Sequence, residues 1–395
     1  MGTILDYMDW RGDLSFRQSE FNEVDNLILA MLSYVELDGI VPGVGKNAFV
    51  TVEQAAQRYF EEHTAEEIRA EISFTHLSPF VLRKMGECRR FKNAKLSKYV
   101  NQIDERLQKQ FSALHIELDD KSIYVAFRGT DDTIIGWQED FNMSFMTVPS
   151  QTAAVDYLKA TLRTFGKKYR VGGHSKGGNL AVYAAVMSSK HVRSKIREIY
   201  NNDGPGFTKA FVAMPEYEEI LPRIYSFVPE SSVIGMLLEH REERKIVASA
   251  ETGIMQHDGL TWQVLGNHFE YKTERTRESV LLDETLKSWL SGLDASQRES
   301  CINSLFSVLS ANGDETLTDI ANGGIKSLGA IMKSITTMDE KTKSIISELI
   351  RMLRKEYGKE VVTPIIEKLV PKRGGVSRKS RWGENKNGPD NGEKS

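Results

Sequence analysis

Cysteine is scarce in this 395-residue chain: Cys88 and Cys301 are the two present, and they could pair only once. A secreted protein of this size would more often carry a richer disulfide framework. An excess of either charge is missing too. The 52 Lys and Arg stand against 55 Asp and Glu, a net charge of −3, so nothing global points to nucleic acid or a strongly anionic partner. No stretch approaches the ~20 apolar residues required to cross a bilayer. At the N-terminus, MGTILDYMDWRGDLSF puts acids and an arginine where a secretory signal needs a basic start and an unbroken apolar run. Asp6 stands where a myristoylation signal favours Ser or Thr. The expectation is a cytoplasmic protein.

Metal and nucleotide motifs are equally thin. HExxH, paired CxxC and clustered ligands are lacking, so no metal and no cofactor is expected. The segment GIVPGVGKN invites a phosphate-loop reading and fails it. Gly39 is one residue too far from Gly45-Lys46, Asn47 stands where the magnesium-binding hydroxyl belongs, and the segment follows a helix instead of a strand. No internal repeat is visible.

Apolar residues at 40% and charged residues at 27% are those of an ordinary globular protein, long enough to bury a substantial core. The rest of the chain is organised around Tyr169 to Ala185, YRVGGHSKGGNLAVYAA: a short strand, a glycine-dense turn with one serine, then a small and apolar run at helical spacing. That is the pattern of a nucleophile elbow, in which a turn too tight for bulky neighbours lifts a serine hydroxyl clear of the sheet. Gly173 and Gly177 flank Ser175 where strand and helix backbones must nearly touch. With 30 Gly and 33 Ser in the chain, G-x-S-x-G arises by chance about 0.2 times, so the flanking strand and helix carry the argument. The alternative is a glycine turn whose serine is merely structural.

After an arm over 1–20, residues 21–110 read as a helical segment packing on the core. Val24, Leu27, Ile28, Met31 and Val35 form one stripe, and Thr51-x-x-Gln54 and Thr64-x-x-Glu67 are capping boxes. From Phe111 the period changes to two. A hairpin of 114–118 with Ile123 to Phe127 leads through a long polar connection into alternating helices and strands up to 292. The class predicted is α/β, a mostly parallel sheet flanked by helices, with helical N- and C-terminal additions. Ligand chemistry in such a sheet sits at the carboxyl ends of the strands, where Thr130, Ser175 and Asp203 emerge. Glu274 to Leu290 reads as a closing helix, 293–370 as a C-terminal helical region and 371–395 as a disordered tail. Those lysine-flanked helical faces could lie on a membrane surface or a partner, though packing on the main domain is the commoner fate.

A serine needs a base, and the base a carboxylate that fixes its tautomer. His257, in a glycine-bearing loop between strand-like segments, is the chosen base and His268 the fallback, a plain surface histidine being the alternative for either. His174 is adjacent to the serine and expected to point elsewhere. His191 and His240, the latter read in a helix over LLEHREER, are expected to be structural or at the surface. Asp203, at the end of the strand REIYNN, is the chosen acid, its alternative being an ordinary turn aspartate. Glu230 is the competing acid. The N–H groups of Thr130 and Lys176 would hold the oxyanion.

VAFRGTDD, GWQEDFN and GGHSKGGNLA together resemble the lipase-type α/β-hydrolases similar to fungal class 3 triacylglycerol lipases. With NNDGPGF, VPESSVIGMLLEH and QHDGLTW added, the chain is similar to a bacterial, Mbeg-like family of hydrolase-like proteins without a settled function. The resemblance covers about residues 20–292. It implies Ser175 as nucleophile, Thr130 and the Lys176 backbone as oxyanion donors, and a late histidine, His257, followed by Trp262. Lys176 and Asn179 depart from the lipase elbow and are expected to place polar groups near the mouth of the site. The lipase acid would fall after the next strand, where this chain offers Glu230-Ser231-Ser232. The activity expected is cleavage of carboxylic or acyl-lipid esters, the alternative being an interaction protein that keeps the fold without catalysis.

Overall fold

The computed structural model describes residues 2–280, apart from 71–74, 105, 107–108, 131–138, 140–141, 144–145, 164–165, 233 and 278. The expected helix over 274–290 lies largely outside the described residues, as do the helical region over 293–370 and the tail.

Period-two alternation from residue 111 onward creates two buried faces, and the fold is what covers them. In β3 (Lys109–Glu117) and β4 (Ile123–Phe127), Leu114, Ile116, Tyr124 and Ala126 face one layer, while Phe111, Ala113, Ile123, Val125 and Phe127 face the other. On the first side lie the N-terminal helices: α1 (Ile4–Arg11), α2 (Glu23–Leu32), α3 (Val52–Glu62), the short α4 (Ala65–Ala70) and α5 (Ser78–Glu87). On the second lie α6 (Pro149–Thr161) and α7 (Lys176–Met187). Both sequence-read capping boxes are formed, Thr51 with Gln54 and Thr64 with Glu67.

The central run of the sheet is parallel: β4, β5 (Tyr169–His174), β6 (Ile196–Asn202), β7 (Ile224–Pro229) and β8 (Arg244–Val247). Antiparallel strands finish both edges, β1 (Val50–Thr51), β2 (Lys95–Asp104) and β3 on one side and β11 (Tyr271–Lys272) on the other. These nine strands lie side by side in the order β1, β2, β3, β4, β5, β6, β7, β8, β11. A separate hairpin joins β9 (Val264–Leu265) to β10 (His268–Phe269). This mixed sheet between helical layers is an α/β-hydrolase-type fold.

Two local expectations are corrected. Residues 95–104, read as part of a helical segment, form β2, because pairing with β3 satisfies a backbone whose side chains alternate only weakly. The stretch around His240 is no helix: Glu239 bridges to Phe207, and the chain then enters β8. Among the described residues no helix is long and apolar enough to cross a membrane.

Candidate active site

Where β5 turns into α7 the backbone leaves no room for side chains. A Cβ on Gly177 would sit 2.1 Å from the Phe127 carbonyl oxygen, and one on Gly173 2.4 Å from the Gly177 carbonyl carbon. Ser175 occupies the corner at φ 56°, ψ −132°, a conformation costing an L-residue on the order of 1–3 kcal/mol. Its N–H donates to the Asn202 carbonyl at 2.9 Å, so the corner is tied to the end of the neighbouring strand. The side chain is nearly buried, and its hydroxyl forms no hydrogen bond with His257 among the described residues.

The next residue along that neighbouring strand is Asp203, also at positive φ, 53°. Its N–H donates to the Phe227 carbonyl at 2.8 Å. One carboxylate oxygen accepts from the Ser232 hydroxyl; the other lies 2.7 Å from Nδ1 of His257. A carboxylate only accepts, so Nδ1 carries the proton and Nε2 keeps a free lone pair. Gly235 closes against the same carboxylate, where a Cβ would come within 2.2 Å of Oδ1. The aspartate is thus fixed by backbone, hydroxyl and imidazole in a fully buried setting.

His257 ends a 3₁₀ turn, Gly253–His257. The turn is fastened by Trp262, whose indole N–H donates to the Gln256 carbonyl at 2.9 Å, and by Gln256, whose amide oxygen accepts from the Ser231 N–H at 2.8 Å. His174 Nε2 donates to the His257 carbonyl at 2.6 Å. Burial, followed by the nearby His257, holds the His174 pKa well below the ordinary imidazole value. Asp258 is pushed up to about 6 by burial, although its carboxylate accepts from the Leu260 N–H at 2.9 Å.

The remaining sequence candidates divide clearly. Thr130 follows β4, and the preceding Gly129 lies close enough to the serine corner that a Cβ there would meet the His174 carbonyl at 2.6 Å. Lys176 opens α7, so its N–H belongs to the helix N-terminus, where donors have no intrahelical partner. Its side chain is not at the mouth of the site. It is fully buried, with Nζ 2.9 Å from Glu139 Oε2, because an ammonium inside the protein must find a counter-charge. Asn179 is buried likewise, its amide donating to the Pro205 and Gly206 carbonyls and so clamping the loop after Asp203 onto α7.

Neither Glu230 nor His268 is hydrogen-bonded to Asp203 or His257 among the described residues. The Glu230 backbone bonds to Val247 and Thr276, and Nδ1 of His257 is taken by Asp203. His268 is exposed on β10, its ring stacked on Tyr271 with centroids 6.0 Å apart. Reading the sequence assigned no role to Ser232, Glu139 or Tyr34. A glycine or serine signal exists only for the first, in VPESS, and nothing local pairs Glu139 with Lys176.

The family profile described as Mbeg1-like matches residues 85–307, more than half of the chain. No match is found among curated proteins. Among solved structures, the native Rhizomucor miehei lipase propeptide complex is similar at 18% identity and a TM-score of 0.33, covering 48% of this chain and 65% of that one. A deletion mutant of the same complex gives 18% identity and 0.35, over 52% and 66%. A fungal lipase-inhibitor complex, reported as a model for interfacial activation in lipases, gives 18% and 0.30, over 45% and 72%. The chain thus spans just under two thirds of the native Rhizomucor lipase. By the profile that spans strands β2 to β11, the serine corner and the Asp203–His257 pair, the chain belongs to the Mbeg1-like family.

Proposed function

We propose that this chain is a serine hydrolase of carboxylic or acyl-lipid esters, with Ser175 as nucleophile, His257 as base and Asp203 as the acid that orients it. The observation that carries the reading is the 2.7 Å contact between Asp203, at the carboxyl end of β6, and Nδ1 of His257, 54 residues later at the end of the 3₁₀ turn, beside a strained serine corner. Structural demands alone do not require a buried aspartate to meet a half-buried imidazole there.

In this mechanism the Ser175 hydroxyl adds to the ester carbonyl as His257 Nε2 takes its proton, and Asp203 stabilises the imidazolium. The N–H groups of Lys176 and Thr130 receive the oxyanion. Collapse of the tetrahedral adduct breaks the ester C–O bond, and His257 returns the proton to the leaving alcohol. Water, deprotonated by His257, then hydrolyses the acyl-serine to the free acid. The hydrogen bond from serine to base in such sites often tightens only with substrate, which accommodates the unbonded Ser175 hydroxyl. The cytoplasm is the compartment proposed.

That same unbonded hydroxyl is what a second reading would rest on: a hydrolase-fold interaction protein that binds a partner or membrane surface without catalysis. Fluorophosphonate labelling of the full chain beside Ser175→Ala, with the adduct located by mass spectrometry, separates the two. The hydrolase reading expects an adduct on Ser175 that the variant lacks. Absence of an adduct where a control hydrolase labels would reject it in favour of the interaction protein.

A further inference from the structure

The histidine before the serine is engaged on both ring nitrogens. Its Nε2 faces the His257 carbonyl, which can only accept, so Nε2 carries the proton. Nδ1 is then an acceptor, 2.9 Å from the Tyr34 hydroxyl, which donates to it. Tyr34 lies just past the end of α2 in the N-terminal helical layer. The motif residue Gly129 leaves the space this hydroxyl needs, since a Cβ there would come within 2.0 Å of it.

The 3₁₀ turn is therefore held at two successive carbonyls, that of Gln256 by Trp262 and that of His257 by His174. The His174 and His257 rings lie with centroids 4.7 Å apart. A single hydrogen bond from Nδ1 to Asp203 fixes one point of the base and leaves the ring free to swing about it. A second anchor on the main chain of the same residue removes that freedom.

We propose that His174 is a positioning residue for His257, its Nε2–H fixing the backbone of the base while the Tyr34 hydroxyl fixes the tautomer that allows it. The proposal rests on the triad reading above. It gives the N-terminal layer a part in the site, because hydrogen bonds link Tyr34, just past α2, through His174 to the main chain of His257. It also explains why His174 must remain neutral. When His257 takes the serine proton, a second imidazolium 4.7 Å away would oppose the charge, and burial among Tyr34, Trp262 and the His257 turn prevents it.

The test compares variants of the full chain by rate of fluorophosphonate labelling. His174→Phe keeps a ring without the donor; His174→Gln places an amide N–H near the position of Nε2. A misplaced base costs up to about 100-fold, so the Phe variant is expected to label roughly 10- to 100-fold more slowly and the Gln variant to recover most of that loss. Tyr34→Phe is expected to slow labelling less than His174→Phe. Equal melting temperatures for the Phe and Gln variants would show that the difference is not one of folding. Wild-type labelling in His174→Phe, or equal losses in both variants, would overturn the proposal.

Should the wild-type chain itself not label, the triad reading fails separately, and ¹⁵N spectra of the histidines decide the positioning role. A neutral Nε2–H tautomer for His174 from pH 5 to 8, with the His257 signals displaced in His174→Phe, supports it. An Nδ1–H tautomer, or His257 signals that do not move, refutes it.

Discussion

Asp203 shows how a single side chain can be committed by its surroundings. Its carboxylate is fully buried, yet Ser232 and His257 each donate to one oxygen, so the charge is stabilised by hydrogen bonds instead of water. Replacing it with Asn keeps the shape and offers His257 the wrong partner, since an amide can present N–H toward Nδ1 and favour the other tautomer. In a comparable triad such a change lowers turnover roughly 10⁴-fold. Asp203→Asn should therefore label with fluorophosphonate slower by about that factor while its melting temperature stays near wild type; labelling within tenfold would remove Asp203 from the triad. Asp258, the residue after His257, behaves oppositely. Burial raises its pKa to about 6, so between about pH 4 and pH 6 the folded chain holds a proton that the unfolded chain has released. Stability then falls as pH rises through that window, by roughly 3 kcal/mol at the linkage value of 1.36 per pKa unit. Urea unfolding of wild type and Asp258→Asn at pH 4 and pH 7 should show the variant gaining that much on the wild type at the higher pH. His174 was the residue least legible beforehand: its neighbour in sequence is the serine, but its partners are 140 and 83 positions away.

At the scale of elements, the turn between β5 and α7 was readable because its constraint is local. Glycine at positions 173 and 177 is what a corner of this tightness demands, and the spacing survives into the contacts with Phe127 and Gly177. β2 was not readable, because Lys95 to Asp104 becomes a strand through pairing with β3, and only Leu96 and Tyr99 along it are buried. The same distinction applies to Lys176. Its place in the motif was visible, whereas its counter-ion comes from a segment 37 residues earlier. Inside the protein the Lys176–Glu139 pair is complete: Glu139 also accepts from the Ser150 N–H at 3.1 Å. Removing one member leaves the other buried and uncompensated, at a cost of about 3–5 kcal/mol. Lys176→Met and Glu139→Gln should each lose about that much in denaturant unfolding, and the double variant should recover most of it. Additive losses would show that each side chain acts alone.

The helices that precede β2 share one hydrophobic core with the sheet. α2 reads as a one-sided amphipathic helix, yet Leu29 and Leu32 are buried along with the expected stripe, because the helix is sandwiched between the sheet and the other N-terminal helices. Polar residues cross the same boundary. Asn26 on α2 donates to Asn202 Oδ1 at 2.8 Å and accepts from the Tyr124 hydroxyl at 2.7 Å, and Asn202 holds the Gly173 carbonyl at 2.9 Å beneath the serine corner. Arg90 pins the connection between α1 and α2, pairing with buried Asp25 and donating to the carbonyls of Leu14, Ser19 and Glu20. Burying one large aliphatic side chain contributes about 1.5–3 kcal/mol. Val24, Leu27, Ile28, Leu29, Met31 and Leu32 together therefore supply on the order of 10 kcal/mol, comparable with the whole net stability of a folded domain. A chain lacking residues 1–48 should consequently fail to fold as an independent hydrolase-type core. The checks are loss of cooperative thermal unfolding by circular dichroism and rapid cleavage under limited proteolysis. Survival of a cooperative transition within a few degrees of wild type would mean that the sheet and its second helical layer stand alone, with α1 and α2 a detachable cover.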